Sequence, residues 1–569
     1  MLDAAPAPGV ARLPPLTDRR VLLVVGVVSG TVHALAIAAG LRFARGDLGI
    51  GSLSEVWQLL PISVLRHGLI GGLAHLHSQP PLFNLFTGAL LQLPHATQAW
   101  AAVVALAACS VVIAVATAGL LLEFELRRAL VLGLVVLFVL ADPAQFLYTT
   151  FYFYALPTAA LATATGWAAV RWVRTERAAP GAAFGVLAAL LILTNSSFQL
   201  YTVAIATVPI LWVLRHRWRQ CVAVLIVPLV VVAGWYVNDL VQFHTFTTTS
   251  WFGMNLARST LVLDSKADIN RLVQEGVLSP AAKIRPFSPL DLYGPLGVHP
   301  RTGVTVLDQR LKYGGTLIPN PNYDNIAYLR VSSQYLKDDL AWIEHRPAMY
   351  LKHTTIGLRF WMLPAEQFYG TVESPHYHLG GYTTVYDAVV LLQPRPDPSG
   401  EGLILNSLQG PDFSNLSYTT VLEWLLAMLV LPVVAWRRRR VDRALAAGAL
   451  WTWVICASVF VTTTLVEAAE NNRFRFELGG LPLVAATVAV AWLIDRSGLG
   501  GGLLSRASGK GDRGAGERLA VDDEPPRVPA GGGEGERAQV DGHRHVDGRP
   551  LGHADWLGDG EITAHLDGL

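Results

Sequence analysis

Two short polar stretches in an otherwise apolar chain carry residue types suited to acid–base and phosphate chemistry. The first lies within residues 47–84 and holds two carboxylates, Asp47 and Glu55, followed by His77-Ser78-Gln79-Pro80-Pro81. The second is Glu470-Asn471-Asn472-Arg473-Phe474-Arg475, far along the chain. Both stretches adjoin long apolar runs, so we predict two halves of one active site at a membrane surface.

In the first stretch, Asp47 is the candidate general base, because a carboxylate there can remove a proton from an acceptor hydroxyl. Glu55 is the reserve candidate. The alternative for Asp47 is a solvated loop acid that follows Arg42 and Arg45. The two prolines fix φ and remove backbone donors, which holds His77 and Gln79 just outside the next apolar segment. The alternative for this motif is an ordinary helix start.

In the second stretch, Arg473 and Arg475 are two cations that could bind a phosphate. Glu470 and Asn472 would support them. The alternative is that the arginines are only the partner charges of Glu470 and Glu477.

Composition places the chain among integral membrane proteins. Of its 569 residues, 52% are hydrophobic and 15% are charged, with a mean hydropathy of +0.39. Soluble domains are about one quarter charged, so this chain favours a bilayer. The formal net charge of +1 gives no global field for binding nucleic acid.

Charge and hydropathy divide the chain into five regions. Basic residues flank the cytoplasmic ends of membrane spans, so both termini are predicted to be cytoplasmic. We predict a mainly α fold: a multi-pass transmembrane helical bundle with an extracytoplasmic mixed domain and a disordered tail. The regions are a cytoplasmic tail (1–20), a membrane domain (21–243) with a first outer loop (42–80), the extracytoplasmic domain (244–420), the last spans (421–496) and a disordered cytoplasmic tail (497–569).

This topology has a parity problem. Eight apolar runs precede the extracytoplasmic domain, whereas a cytoplasmic N-terminus requires an odd number of crossings. The weakest run is 81–93, which begins at Pro80-Pro81. Either this run is re-entrant or one of its neighbours does not cross.

The placement of these motifs resembles the GT-C superfamily of polytopic glycosyltransferases, which includes protein O-mannosyltransferases and lipid A aminoarabinose transferases. That family has an acid in the first outer loop, a His-Pro-Pro-Leu-Tyr-like start to the second span and a Glu-x-x-Arg-Tyr/Phe-Arg segment. The matching positions here are Asp47, His77 to Phe83 with Ser78-Gln79 inserted, and Glu470 to Arg475. The consecutive Asp-Glu pair of many members is missing, since Leu48 follows Asp47.

The resemblance implies an inverting glycosyltransferase of the bacterial plasma membrane. The donor would be a sugar on polyprenyl phosphate, and the acceptor a lipid, glycan or protein outside the cell. Asp47 would act as base, while Arg473 and Arg475, with His77, would stabilise the leaving phosphate. The alternatives are a transporter or flippase for a lipid-linked sugar and a non-enzymatic membrane protein. The predicted spans lack the charges at mid-membrane that are typical of ion-coupled transporters.

No cofactor is predicted, and the need for a divalent metal is left open. Glu373, His376 and His378 have a metal-like spacing, but an H-x-H pair alone is weak and a surface role is favoured.

Overall fold

Helices form nearly all of the secondary structure that the chain adopts. The computed structural model describes residues 17–41, 53, 56–312, 320–368, 379–395 and 415–497. The two proposed bases, Asp47 and Glu55, lie outside the described residues, as do the Glu373–His378 cluster and the predicted disordered tail from residue 498 onward. All described residues belong to one compact unit, Met1–Ser508.

The described residues from 56 to 243, together with 17–41, contain eleven α-helices. They are α1 (Asp18–Ala38), α2 (Ile62–His67), α3 (Leu69–Ala74), α4 (Pro81–Leu90), α5 (His95–Glu123), α6 (Arg128–Val135, extended by a π-helical turn, Val136–Leu140), α7 (Pro143–Leu147), α8 (Ala155–Thr175), α9 (Ala178–Thr194), α10 (Leu200–Val213) and α11 (Trp218–Phe243).

The polar segment, residues 244–417, is also helical where it is described. It contains α12 (Phe252–Ser259), α13 (Lys266–Gln274), α14 (Thr305–Asp308), α15 (Ala327–His345), α16 (Pro347–Trp361) and α17 (Tyr382–Val389). Short 3₁₀ turns cover Pro280–Lys283, Leu290–Gly297 and Leu379–Gly381. The strand part of the predicted mixed character is, in the described portion of this segment, one antiparallel pair of two-residue strands, β1 (Leu311–Lys312) and β2 (Asn320–Pro321).

The chain then returns to apolar helices. These are α18 (Tyr418–Leu425, continued by a π turn, Leu426–Val430), α19 (Leu431–Arg438), α20 (Arg443–Val466), α21 (Asn471–Phe476) and α22 (Leu481–Ser497).

Within the described residues, five segments are long and apolar enough to cross a membrane. They are Asp18–Ala38, His95–Glu123, Leu200–Phe243, Tyr418–Arg438 and Arg443–Val466. The third comprises α10 and α11, which fold back on each other through a 3₁₀ turn at Leu214–Arg217. The hairpin is closed at its far end, where the backbone N–H of Leu200 donates to the Tyr236 hydroxyl at 3.0 Å.

One end of the bundle collects the basic clusters, and we call it the basic end. Arg128 pairs with Asp18 at 2.6 Å, Arg171 with Glu123 at 2.7 Å, and Arg217 with Glu176 at 2.8 Å. These pairs join the ends of α1, α5, α8 and the α10–α11 turn. Arg438, in the four-arginine run, lines a crevice at this end with Phe124 and Trp492. The polar segment packs at the opposite end, the polar end.

The crossings can now be counted from these two ends. Helix α4 has ten residues, about 15 Å at 1.5 Å per residue, whereas the hydrocarbon core is about 30 Å thick. The next helix, α5, has 29 residues and ends at the basic end. Seven of the described helices run between the basic end and the polar end before the polar segment: α1, α5, α6, α8, α9, α10 and α11. Run 81–93 contains α4, which is too short to connect the two ends, and the seven remaining runs are an odd number, as the predicted topology requires.

The polar segment has an aromatic core of its own. Trp251, Phe287 and Tyr323 pack with ring centroids 5.1 to 5.5 Å apart. Helices α12 and α15 cross at Gly253, where an added Cβ would lie 2.0 Å from the backbone oxygen of Ser332. This close crossing fixes α12, which carries Arg258 toward the second polar stretch.

Candidate functional site

The His77 motif joins the first outer loop to the polar segment. Asp324 Oδ1 accepts the backbone N–H of Ser78 at 3.1 Å, and His77 Nε2 donates to the Asp324 carbonyl at 3.0 Å. The remaining ring nitrogen, Nδ1, accepts from the Ser250 hydroxyl at 2.8 Å. Burial lowers the pKa of His77, so the ring is neutral at neutral pH. Because both ring nitrogens are hydrogen-bonded inside the protein, His77 has a structural role and links this loop to the polar segment.

The rest of the first stretch is held by similar contacts. Asn84, on the first turn of α4, accepts from the backbone of Leu60 at 2.7 Å and donates to the Gln58 carbonyl at 2.9 Å. Gln79 is buried. Lys312 Nζ donates to the carbonyls of Val56 and Trp57, each at 3.0 Å. Val56 and Trp57 are thus anchored on β1, at the polar end.

Arg473 lies in a buried ion-pair network. Its guanidinium donates to Glu470 at 2.9 and 2.6 Å and to Glu477. Arg258 on α12 donates to the same Glu470 at 2.9 Å and to Glu467 at 3.0 Å. Although burial opposes it, the two arginines lower the pKa of Glu470 to about 2. Burial raises the pKa of Glu477 to about 7.

This network gives Arg473 the role of charge partner to Glu470 and Glu477, the alternative weighed from the sequence. Its side chain is 3% exposed, and its guanidinium also lies 4.2 Å from the ring centroid of Phe474. A phosphate would have to displace one of the carboxylates to reach it. Asn472 supports this turn, since its amide donates to the Pro364 carbonyl at 3.0 Å and its oxygen accepts from the Arg473 backbone.

Arg475 faces a different environment, a cleft of about 460 Å³. Its Nη1 donates to the Thr420 hydroxyl at 2.8 Å and its Nη2 to the Leu363 carbonyl at 2.6 Å. Its Nε has no hydrogen-bond partner within the described residues. Of the two predicted phosphate ligands, Arg475 is therefore the one that lines a cavity.

The cleft has a polar head and an apolar trough. Arg475, Asp142, Gln145, Glu366 and Glu423 line the head. The trough follows α6, α18 and α22, with Leu130, Leu134, Phe138, Leu426, Val490 and Ile494 among its walls. An amphipathic cavity of this kind fits a ligand with a charged group and a long hydrocarbon chain.

The carboxyl groups at the head are held partly protonated. Burial, together with the neighbouring Glu366, raises the pKa of Asp142 to about 8. Burial also raises the pKa of Glu366, which is hydrogen-bonded to Asp387, and that of Asp387 to about 6. At neutral pH the head therefore carries less negative charge than the number of its carboxyl groups indicates. The protonated carboxyl groups do not repel an anion beside Arg475.

The site residues not predicted from the sequence are Asp142, Glu366 and Asp387. Asp142 directly follows an apolar run, the same signal that selected Asp47, so it could have been found. Glu366 and Asp387 lie in the polar segment among many other acids and carry no such local signal. Among the residues with described positions, no group of three or more His, Cys, Asp and Glu side chains has the geometry of a metal site.

Comparisons with protein-family models, with curated proteins and with solved structures find no match to this chain.

Proposed function

We propose that the chain is a membrane glycosyltransferase that takes a sugar from a polyprenyl-phosphate donor and transfers it, with inversion, to an acceptor on the outer side of a bacterial plasma membrane. The observation that carries the proposal is the cleft at the polar end, with Arg475 at its head and an apolar trough behind. The resemblance of the motifs to GT-C enzymes points in the same direction.

The dimensions of the trough suit a prenyl chain. It follows α6 and its π turn from Leu130 to the head at Asp142, about 18 Å at 1.5 Å per residue. That length is more than half of the roughly 30 Å hydrocarbon core. A chain lying along it would bring its phosphate to Arg475 without leaving the membrane.

Arg475 would stabilise the leaving group. As the acceptor oxygen bonds to the anomeric carbon, the bond to the phosphate oxygen breaks and negative charge develops on the lipid phosphate. A guanidinium placed beforehand at that position, in a site of low dielectric, lowers the barrier by electrostatic stabilisation. Asp47, with Glu55 in reserve, remains the base that the resemblance implies.

The basic end supports this orientation. Arg19, Arg20, Arg171, Arg217 and the run 437–440 lie at or next to it, and positive charge favours the cytoplasmic side. The start of α1 and the end of α22 then both lie on the cytoplasmic side. The cleft head faces outward, where lipid-linked sugars are used.

A transporter of lipid-linked sugars is the second candidate. The trough reaches Ile494, close to the end of α22 at the basic end, so a lipid could in principle move along it without reacting. The two functions differ in their products, because only the transferase releases polyprenyl phosphate from its sugar.

The test compares lipid-linked sugars and cell-envelope glycans in cells with and without the gene, together with Asp47→Asn and Glu55→Gln. We expect the donor to accumulate and one glycan to lose a sugar in the deletion. With Asp47 as the base, Asp47→Asn reproduces this with normal membrane insertion. Unchanged glycans in the deletion strain would refute the transferase. Transfer that survives both substitutions would exclude these acids as the base.

A further inference from the structure

We infer that Glu366 and Asp387, acting as a hydrogen-bonded pair at the head of the cleft, accept the proton of the acceptor hydroxyl during sugar transfer. This inference rests on the proposed function. It assigns the acceptor proton to this pair in place of Asp47, the base that the resemblance implies, so Glu366→Gln and Asp47→Asn distinguish the two bases.

The pair is built into the wall of the cleft. Glu366 lines the cleft and is fully buried in the folded chain, at 0% exposure. Asp387, on α17, lies behind it at 2% exposure and shares a hydrogen bond with it. Gln367 donates to Asp387 at 3.3 Å and to Gln393 at 3.1 Å, and Gln393 donates to the Asn415 carbonyl at 2.6 Å. Neutral amides thus hold Asp387 in place.

The surroundings keep one proton on the pair at neutral pH. Besides Asp387, four ionisable groups interact electrostatically with Glu366. They are Asp142 from the α6–α7 junction, Arg475 from α21, Tyr148 after α7 and Tyr386 on α17. Two carboxylates in contact do not both ionise in a buried site, so they titrate as a unit. Burial raises the pKa of both groups, that of Asp387 to about 6. The singly protonated pair carries one negative charge and can accept one more proton.

A second feature of the head points to a ligand hydroxyl. Gln145, on α7, lines the same cleft and is 5% exposed. Its Oε1 is buried and has no hydrogen-bond partner in the part of the chain that the structure describes. A buried acceptor without a donor is costly, and a hydroxyl entering the cleft would satisfy it. Gln145 is therefore placed to orient the sugar or acceptor beside the carboxyl pair.

The transfer step balances with these groups. The acceptor oxygen forms a bond to the anomeric carbon, and the bond between that carbon and the phosphate oxygen breaks with its electron pair leaving on the phosphate. The acceptor proton passes to Glu366, whose own shared proton moves onto Asp387. Arg475 takes up the charge of the released lipid phosphate, and the neutral pair later returns one proton to water.

The inference is tested with Glu366→Gln and Asp387→Asn, with Glu275→Gln as the matched control, since Glu275 is exposed on the polar segment. Each variant is expressed in full length in cells that lack the native gene. Sugar transfer is followed as release of undecaprenyl phosphate and as recovery of the glycan, and binding of undecaprenyl phosphate to the purified protein is measured separately. Arg475→Gln is included in the binding arm.

We expect Glu366→Gln to reduce transfer by about 100-fold or more, the usual contribution of a general base, with binding of undecaprenyl phosphate unchanged or tighter. Asp387→Asn should retain part of the activity and move the acid limb of the pH profile to higher pH, because Glu366 must then ionise alone in a buried site. Glu275→Gln should behave as wild type.

Two results would overturn the inference while leaving the proposed function intact. One is a Glu366→Gln variant that keeps more than about a tenth of the wild-type transfer, set against the loss that a general base predicts. The other, which also decides the case if Glu366→Gln fails to fold, is an Asp387→Asn variant with a wild-type pH profile. Failure of the proposed function looks different: Arg475→Gln binds undecaprenyl phosphate as well as wild type, and the deletion strain has normal glycans.

Discussion

Arg473 and Arg475 lie two positions apart, yet their substitution is expected to damage different properties. Arg473→Ala removes the partner of two buried carboxylates, Glu470 and Glu477. Breaking a buried ion pair by deleting one member costs about 3–5 kcal/mol. Glu477 can relieve part of this by protonation, since burial already raises its pKa to about 7. At about 2.1 cal/mol/K per residue, the unfolding entropy of a chain of this length is about 1 kcal/mol/K, so a loss of this size lowers the apparent Tm by roughly 3–5 °C.

Arg475→Ala removes two hydrogen bonds to neutral groups, Thr420 and Leu363, so its effect on stability is smaller. Its main effect is expected on ligand binding. A hydrogen bond to a charged group contributes about 1.5–3 kcal/mol, which corresponds to a roughly 10- to 150-fold weaker Kd for a lipid phosphate. Arg440→Ala, at the exposed basic end, makes the same charge change and should alter neither property.

The assay combines thermal unfolding of the purified protein in detergent with binding of undecaprenyl phosphate, using undecaprenol as the control for the chain alone. Wild type should prefer the phosphate, and Arg475→Ala should lose most of that preference. The reasoning is refuted if Arg473→Ala unfolds at the wild-type temperature and weakens phosphate binding more than Arg475→Ala does.

Three further predictions concern the fold around the cleft. Burial raises the pKa of Asp142 to about 8 in the folded chain, so its contribution to the stability of the fold is present at low pH and is lost as the pH rises through 8. Asp142→Asn should therefore flatten the fall in apparent Tm between pH 5 and 8. An unchanged slope would contradict this. Burial lowers the pKa of His77, so stability should fall as the pH drops below about 6.5, and His77→Gln should reduce that acid-dependent loss in the same melting experiment. Gly253→Ala would place a Cβ 2.0 Å from the Ser332 carbonyl; we expect low yield or an apparent Tm at least about 5 °C lower, whereas Gly234→Ala, where a Cβ meets nothing within 4 Å, should be neutral.

The pH predictions also separate the two carboxyl-rich regions. Two arginines contact Glu470 and lower its pKa to about 2. Glu470 therefore stays ionised, and keeps its ion pairs, across the physiological pH range. Asp142 and the Glu366–Asp387 pair change protonation near neutral pH. Within the physiological range, the cleft is thus expected to respond to pH together with Glu477 of the Arg473 network, whose pKa is about 7.

The sequence by itself determined the class of fold and the positions of most helices. Long apolar runs require burial in lipid or protein, and this requirement is local, because each segment carries its own hydrophobic free energy. The basic clusters were equally readable, and the structure places them at one end of the bundle. The short run headed by Pro80-Pro81 was recognised as the weakest span from its length alone, and α4 is indeed too short to cross.

Only the tertiary structure decided which polar residues meet. Arg473 and Arg475 looked equivalent in sequence, but residues two apart on a helix point in different directions, so one faces the Glu470–Glu477 network and the other the cleft. Glu366 is brought to Asp142 and Arg475 by the packing of segments more than 100 residues apart. Composition and spacing report how much a segment must bury, whereas the partners of a buried charge depend on which helices pack together.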